Sequence, residues 1–252
     1  MTVTCVNVKG KFLLAPTDFF DLSDPVAAGF FDNCDFVWQA LSTLEEQVER
    51  LTGGQQTILG KVMPGAYISD RPIYIAKTAR IEPGAYIHGP AYIGEGAVVR
   101  HCAFVRENVV MLAGAILGHA SEAKHSLLLP NAHAPHFNYV GDSILGQHVN
   151  LGAGTKLSNL TLVSAKDPLT GKRPTLELII EDDRYDTGLA KLGAILGDNT
   201  QTGCNAVLNP GCLIGRDSLV YANLSLRKGY YPANSIIKLR QQTNVVQRRS
   251  NR

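Results

Sequence analysis

An aliphatic side chain recurs at every sixth position from Ile75: Ile81, Ile87, Ile93, Val99, Val105, Met111 and Leu117 follow. Four residues after each comes a small one, in the series Ala79, Ala85, Ala91, Ala97, Ala103, Val109, Ala115, Ser121. A period of six fits neither the 3.6 of a helix nor the alternation of an ordinary strand. It is the mark of a parallel β-helix, in which each hexad is a short strand plus a bend and the chain coils into stacked triangular turns. Both the aliphatic and the small position point inward, the second near a corner. Glycines such as Gly84, Gly96 and Gly114, and the Pro-Gly-Ala triplets at 64–66 and 83–85, supply the bends.

The rhythm divides the chain. Residues 1–57 lack it. They suggest a short hairpin around Lys9-Gly10 and a helix near 33–51, capped by Asn33, with Phe36, Ala40, Leu44 and Val48 as its apolar stripe and Thr52-Gly53-Gly54 as its stop. This segment is expected to cover the coil's open end, because an uncovered β edge invites edge-to-edge growth. The β-helix is expected over 58–228, with Tyr74 as one extra residue. The pattern blurs between Ala123 and Asn138, resumes in a shifted frame with Leu145, Leu151 and Leu157, and breaks at an insertion, 163–190, where Leu176 to Ile180 reads as an added strand. Hexads return with Leu196, Thr202, Leu208, Ile214 and Val220, for about twenty in all, or six to seven turns. Residues 229–252 form a basic tail without hexads. The fold class is all-β, with a small α-containing N-terminal cap.

Composition adds mainly exclusions. A net charge of +2 over 252 residues gives no global pull toward nucleic acid or an anionic membrane. The five Cys, at 5, 34, 102, 204 and 212, hold no C-x-x-C pair, which argues against a zinc or disulfide framework, and Cys212 falls at a small inward position. No apolar run approaches the length of a membrane span, and no signal peptide is evident, so a cytoplasmic setting is expected.

Chemistry is expected where the repeat is interrupted. The stretch 124–159 concentrates Lys124, His125, Asn131, His133, His136, Asn138, Tyr139, Asp142, Asn150 and Asn159. The spacing of His125, His133 and His136 repeats no metal-ligand motif, so no metal is expected. A single His as general base is the more economical use.

The run His136-Phe-Asn-Tyr139-Val-Gly-Asp142-Ser-Ile-Leu-Gly-Gln-His-Val-Asn150-Leu-Gly-Ala-Gly-Thr155 resembles a motif of the left-handed β-helix acetyltransferase domain of bifunctional glucosamine-1-phosphate acetyltransferase/N-acetylglucosamine-1-phosphate uridylyltransferases. Arg106 and Glu122-Ala-Lys124 fall at matching spacings. Lys191 to Asn205, with Asn209-Pro-Gly211, is more like the archaeal sugar-1-phosphate nucleotidylyltransferases that carry such a domain. The resemblance covers roughly 58–240. It implies a left-handed coil, acetyl-CoA as co-substrate, an amino-sugar phosphate as acceptor and a homotrimer with sites between neighbouring coils. His136 would be the base. Arg106 and Lys124 would hold the sugar phosphate, Tyr139 and Asn150 would contact phosphate or sugar, and Asn159 would orient the amine or thioester. Asp198 stands where relatives place a Ser near the thioester, and Arg240 is a candidate for the donor's phosphates; both are expected on the cofactor side.

There are departures. The family's Lys in a short loop after Asn159 is matched only by Lys166, in a longer insertion. No nucleotidyltransferase motif precedes the coil, so that activity is not expected from this chain. The competing readings are a non-catalytic sugar-nucleotide-binding or regulatory module that partners a separate nucleotidyltransferase chain, and a metal-dependent carbonic anhydrase on the same scaffold.

Overall fold

The computed structural model describes residues 14–240 and residue 246. The chain winds into a parallel β-helix with three flat faces, of nine, nine and eight strands. The first face runs from Thr57–Ile58 to Gly229–Tyr231, the second from Lys61–Val62 to Ile236–Ile237, and the third from Tyr67–Ile68 to Ser225–Leu226. Every aliphatic and small position of the regular run is buried: Ile75, Ile81, Ile87, Ile93, Val99, Val105, Met111 and Leu117 have no exposed surface. They line one continuous core with their alanine partners. The all-β coil is in keeping with the left-handed β-helix expected from the hexads.

The blur after Ala123 is not a break. Ile73, Ala91 and Val109 pair at intervals of eighteen residues, one turn of three hexads. From Val109 to Ser126, and again from Leu127 to Ile144, the interval is seventeen. The lost residue comes from the corner between the third and first faces. Val105 and Met111 stand six apart across that corner, whereas Ala123 and Leu128, and Val140 and Leu145, stand five apart, all facing the core. A hexad template loses register at each such corner, although the coil does not. Nine turns therefore replace the expected six to seven.

The coil also passes the boundary expected at 228. Gly229–Tyr231 pairs with Cys212–Ile214, and Ile236–Ile237 with Leu219–Val220. Tyr231 and Ile237 take inward positions there, half-buried against the core. The corners are held by residues in the left-handed region, where Asn131, Asn199, Asp217 and Asn234 have φ between 56° and 61°. Asn and Asp tolerate that conformation because their short side chains satisfy nearby backbone.

The described residues of the N-terminal segment cover a flank of the coil, where the sequence suggested its open end. Phe19, Phe20, Phe30, Trp38, Leu41 and Val48 pack with outward residues of the first face: Val110, Leu127, Ile144, Ile195 and Leu213. Strands such as Val109–Met111 and Cys212–Ile214 are consequently buried on both sides, which is the setting in which parallel strands are continuously apolar. The single helix expected near 33–51 is two pieces, Gln39–Ser42 and Leu44–Thr52, broken at Thr43. Asn33 does not cap it but turns at φ 62°. The Val37 amide donates to Leu14 O, and Phe36 stacks on Trp38 at 4.8 Å; both hold 36–38 out of a helix. Gly53, at φ 63°, ends the second piece as the Gly-Gly stop predicts. The hairpin suggested around Lys9-Gly10, and Arg248, Arg249 and Arg252, lie outside the described residues.

The insertion leaves the coil after Lys156–Leu157 and returns at Ala194–Leu196, so that Ile144 pairs directly with Ile195. It carries an antiparallel hairpin, Glu177–Ile180 with Asp183–Asp186. Leu176 and Leu178 join the flank core, and Tyr185 meets the rings of Phe36 and Trp38 edge-on. Among the described residues, no helix is long and apolar enough to cross a membrane.

Candidate active site

Two corners bound the third face, and each carries part of the expected machinery. At the corner leading from the third face to the first, successive turns stack Arg106, Lys124 and Gly141 in one column, since Ala123 pairs with Val105 and Lys124 with Gly141. Arg106 Nη1 donates to Glu122 Oε1 at 3.0 Å, and its Nε lies 3.5 Å from Glu107 Oε2. Glu107 Oε1 is 3.3 Å from Lys124 Nζ. The Lys124 side chain is only 15% exposed, so its charge is held at the mouth of the corner and does not trail in solvent.

Gly141 opens the next place in that column. A Cβ there would come within 2.7 Å of the Tyr139 hydroxyl and 2.8 Å of the Asn159 amide nitrogen. A side chain at 141 is thus replaced by two polar groups that converge on its space. The Asn159 amide also donates to Asp142 Oδ2. Burial, and then the carboxylates of Glu122 and Asp142, push the Tyr139 phenol above its ordinary value. Its hydroxyl stays a neutral donor through the physiological range. Desolvation raises the Glu107 carboxyl, but its own backbone N–H and the charges of Lys124 and Arg106 outweigh that and hold it below the usual carboxylate range. A cleft of about 430 Å³ adjoins Asn159 along the chain, lined by Ser158, Leu160 to Val163, Asn209, Arg227 and Lys228.

His136 stands at the other corner, where the second face turns into the third, at the exposed end of strand His133–His136. Its amide donates to Asn138 Oδ1 at 2.9 Å, and the buried Asn138 amide donates onward to Gly152 O at 2.9 Å. Phe137 is forced to φ 51°, a conformation that a bulky residue adopts only when its surroundings impose it. The His136 Nδ1 lies 3.5 Å from His119 Nδ1, so one ring must present a lone pair to the other's N–H. His119 stacks on His101 at 4.9 Å, and His101 Nδ1 is 3.5 Å from Glu82 Oε2. The ladder leaves Nε2 of His136 as the nitrogen free to face a substrate.

The chain was compared with known proteins. No family model matches it. The bifunctional protein GlmU of Methanococcus vannielii is 34% identical over 132 residues, 52% of this chain and 30% of that protein. GlmU of Methanococcus maripaludis is 32% identical over 195 residues, 77% of this chain and 44% of the relative. The bifunctional sugar-1-phosphate nucleotidylyltransferase/acetyltransferase of Sulfurisphaera tokodaii is 29% identical over 193 residues, 77% and 45% of the two chains. These bifunctional proteins are its homologues. The chain spans less than half the length of each.

Against this GlmU-like background, Arg106 and Lys124 stack in one column with Gly141, on whose space Tyr139 and Asn159 converge. Asn150 does not join it: it is exposed on the second face, between His133 and Gln201. Arg240 is exposed just past the last strand. Asp198 has a different occupation. It is 6% exposed, and its carboxylate accepts the Asp21 amide at 2.6 Å and the Gln147 amide at 2.7 Å, while its own amide donates to Phe19 O. It ties the N-terminal segment to the coil, and both carboxylate oxygens are used in doing so. Of the three histidines weighed as ligands, His125 donates Nε2–H to Leu41 O beneath the N-terminal segment, His133 faces out of the second face, and His136 stands at the second-to-third corner beside His119. Among the described residues no three potential ligands converge as a metal site would need. Glu107 and His119 were missed by sequence reasoning. Glu107 sits inside a regular hexad, and His119 falls seventeen residues before His136, a spacing that means adjacency only once the turn length is known.

Proposed function

We propose that this coil is an acetyltransferase that moves the acetyl group of acetyl-CoA to the amine of an amino-sugar phosphate. The observation that supports the reading is the column of Arg106, Lys124 and Gly141, with Tyr139 and Asn159 converging on the space left by Gly141, in a homologue of a bifunctional nucleotidylyltransferase/acetyltransferase. In the proposed reaction the neutral amine nitrogen attacks the thioester carbonyl carbon and gives its proton to Nε2 of His136. The C–S bond then breaks, and the CoA sulfur leaves and is protonated. In this scheme His136 Nδ1–H donates to His119 Nδ1, which leaves Nε2 able to accept. Arg106 and Lys124 bind the sugar phosphate, and Tyr139 and Asn159 orient the sugar and amine, so most of the acceleration comes from placement. The cleft beside Asn159 gives room for the remainder of the acceptor.

Asn150 fits this scheme only as a residue supplied from a second face, which is why the proposal includes a homotrimer with sites between coils. Arg240 is kept as a contact for the donor's phosphates, and a cytoplasmic setting belongs to the same proposal. Asp198 is withdrawn from the donor side, because its carboxylate is already satisfied. The test is thiol release from acetyl-CoA in the presence of glucosamine-1-phosphate. The wild-type protein should turn over, and binding of the sugar phosphate without any thiol release would instead support a non-catalytic binding module.

A further inference from the structure

The cation pair of the third-to-first corner already has a resident anion. Glu107 uses both carboxylate oxygens, one 3.3 Å from Lys124 Nζ and the other 3.5 Å from Arg106 Nε. Arg106 spends its Nη1 on Glu122 at 3.0 Å. With Asp142 bound by the Asn159 amide, three carboxylates face two cations. Such a corner is not an open anion hole: it is charge-balanced or slightly negative before any ligand arrives. Two of the three carboxylates have other duties, Glu122 in a hydrogen bond to Arg106 alone and Asp142 to Asn159. Only Glu107 bridges the two cations, as a phosphate group would.

We propose that Glu107 is a specificity-determining residue that occupies the position of the substrate's phosphate between Arg106 and Lys124 and must be displaced for a phosphorylated substrate to bind. This rests on the reading of that corner as the acceptor's phosphate subsite. Glu107 sets a threshold: a ligand enters only if its own anion binds the two cations better than the tethered carboxylate does. A phosphate ester clears it with more acceptor oxygens and more charge. An unphosphorylated amino sugar leaves the bridge intact and gains nothing from the pair. The same bridge prevents two neighbouring cations from repelling each other in the free protein.

The experiment compares wild type with Glu107→Gln by calorimetry, using glucosamine-1-phosphate, glucosamine and inorganic phosphate as probes, alongside the thiol-release assay. Removing the competing charge while keeping the side chain's shape should tighten both phosphate-bearing probes by about fivefold, as expected from two partly exposed ion pairs. Glucosamine should move far less. Glu107→Asp, too short to span both cations, should tighten them in the same direction by a smaller factor, and it carries the test if the Gln variant folds poorly. Unchanged or weaker phosphate binding in both variants overturns the proposal, as does an equal shift for glucosamine. Tightening without thiol release from either protein supports the role of Glu107 and overturns acetyl transfer. Thiol release from wild type without tightening in the variants does the reverse.

Discussion

The turns between Ile73 and Met111 and those between Val109 and Leu157 have the same inward residues, the same ladder of parallel strands and nearly the same length. They differ by one residue per turn, removed at the corner between the third and first faces. In the eighteen-residue turns the outward positions of the third face carry Tyr86 stacked on Phe104 at 5.2 Å, with Tyr67 of the preceding turn edge-on to Tyr86 at 4.8 Å. In the seventeen-residue turns the same positions carry Glu122, Tyr139 and Lys156, and the shortened corners carry Lys124 and Asp142. The scaffold is indifferent to what faces outward, because its stability comes from the inward column and from nearest-neighbour stacking. Regularity measures how much of a turn is given to the core, and the polar groups of the proposed site gather at the shortened corners of Lys124 and Gly141 and beside them.

The contrast is open to direct attack. The largest effect is expected at His136. His136→Ala should lower kcat by about 10²- to 10⁴-fold with an unchanged melting temperature, since the ring is exposed; a fall in stability of comparable weight would remove it from the chemistry. Ile87→Ala, within the regular turns, should do the opposite. Loss of a fully buried side chain should cost about 2–5 kcal/mol in denaturant unfolding while the folded fraction keeps its kcat. Gly141→Ala probes the seam between the two behaviours. Its methyl has to displace the Tyr139 hydroxyl and the Asn159 amide, so KM for the sugar phosphate should rise by about tenfold, as for one lost charge-assisted contact, with little change in Tm. Asp198→Ala should spare the chemistry and loosen the flank: two amides lose their acceptor, at about 1–3 kcal/mol each if left unpaired, and proteolysis should attack residues 14–52 before the coil.

The smallest effect is a pH dependence. The Glu107 carboxyl is held below its unfolded value, so the folded state binds fewer protons there than the unfolded chain. That contribution to stability is complete above the unfolded carboxylate value and is lost as pH falls through the depressed one. Glu107→Gln should therefore flatten the acid side of the stability profile between those two values and lower the neutral-pH plateau by the same small increment.

Much of this was legible from residue order alone. The inward column from Ile75 to Leu117 could be read because a period of six is local: every residue that defines it lies within one turn. The corner bearing Arg106 and Lys124, and the motif from His136 to Thr155, were equally readable through a family resemblance. What escaped was whatever depends on turn length or on distant packing. Seventeen-residue turns passed for irregularity, which hid two to three turns and the edge-on meeting of His119 and His136. The flank docking escaped because Val110, Leu127 and Ile144 look like ordinary strand residues; only their burial on the outer side betrays a partner. Asp198 was misplaced for a similar reason, since its partner Asp21 is 177 residues away and leaves no trace near Gly197-Asp198.

That flank docking has a mechanical consequence. A solenoid whose turns touch only their neighbours can fray one turn at a time. Here the N-terminal segment shares one apolar cluster with five successive strands of one face, at Val110, Leu127, Ile144, Ile195 and Leu213, and with Tyr92 and Tyr230 on the strands either side. It works as a splint: none of the five turns can peel away without breaking the same apolar seam. The splinted turns include those that carry Lys124, His136, Tyr139 and Asn159, so the turns around them open as one unit.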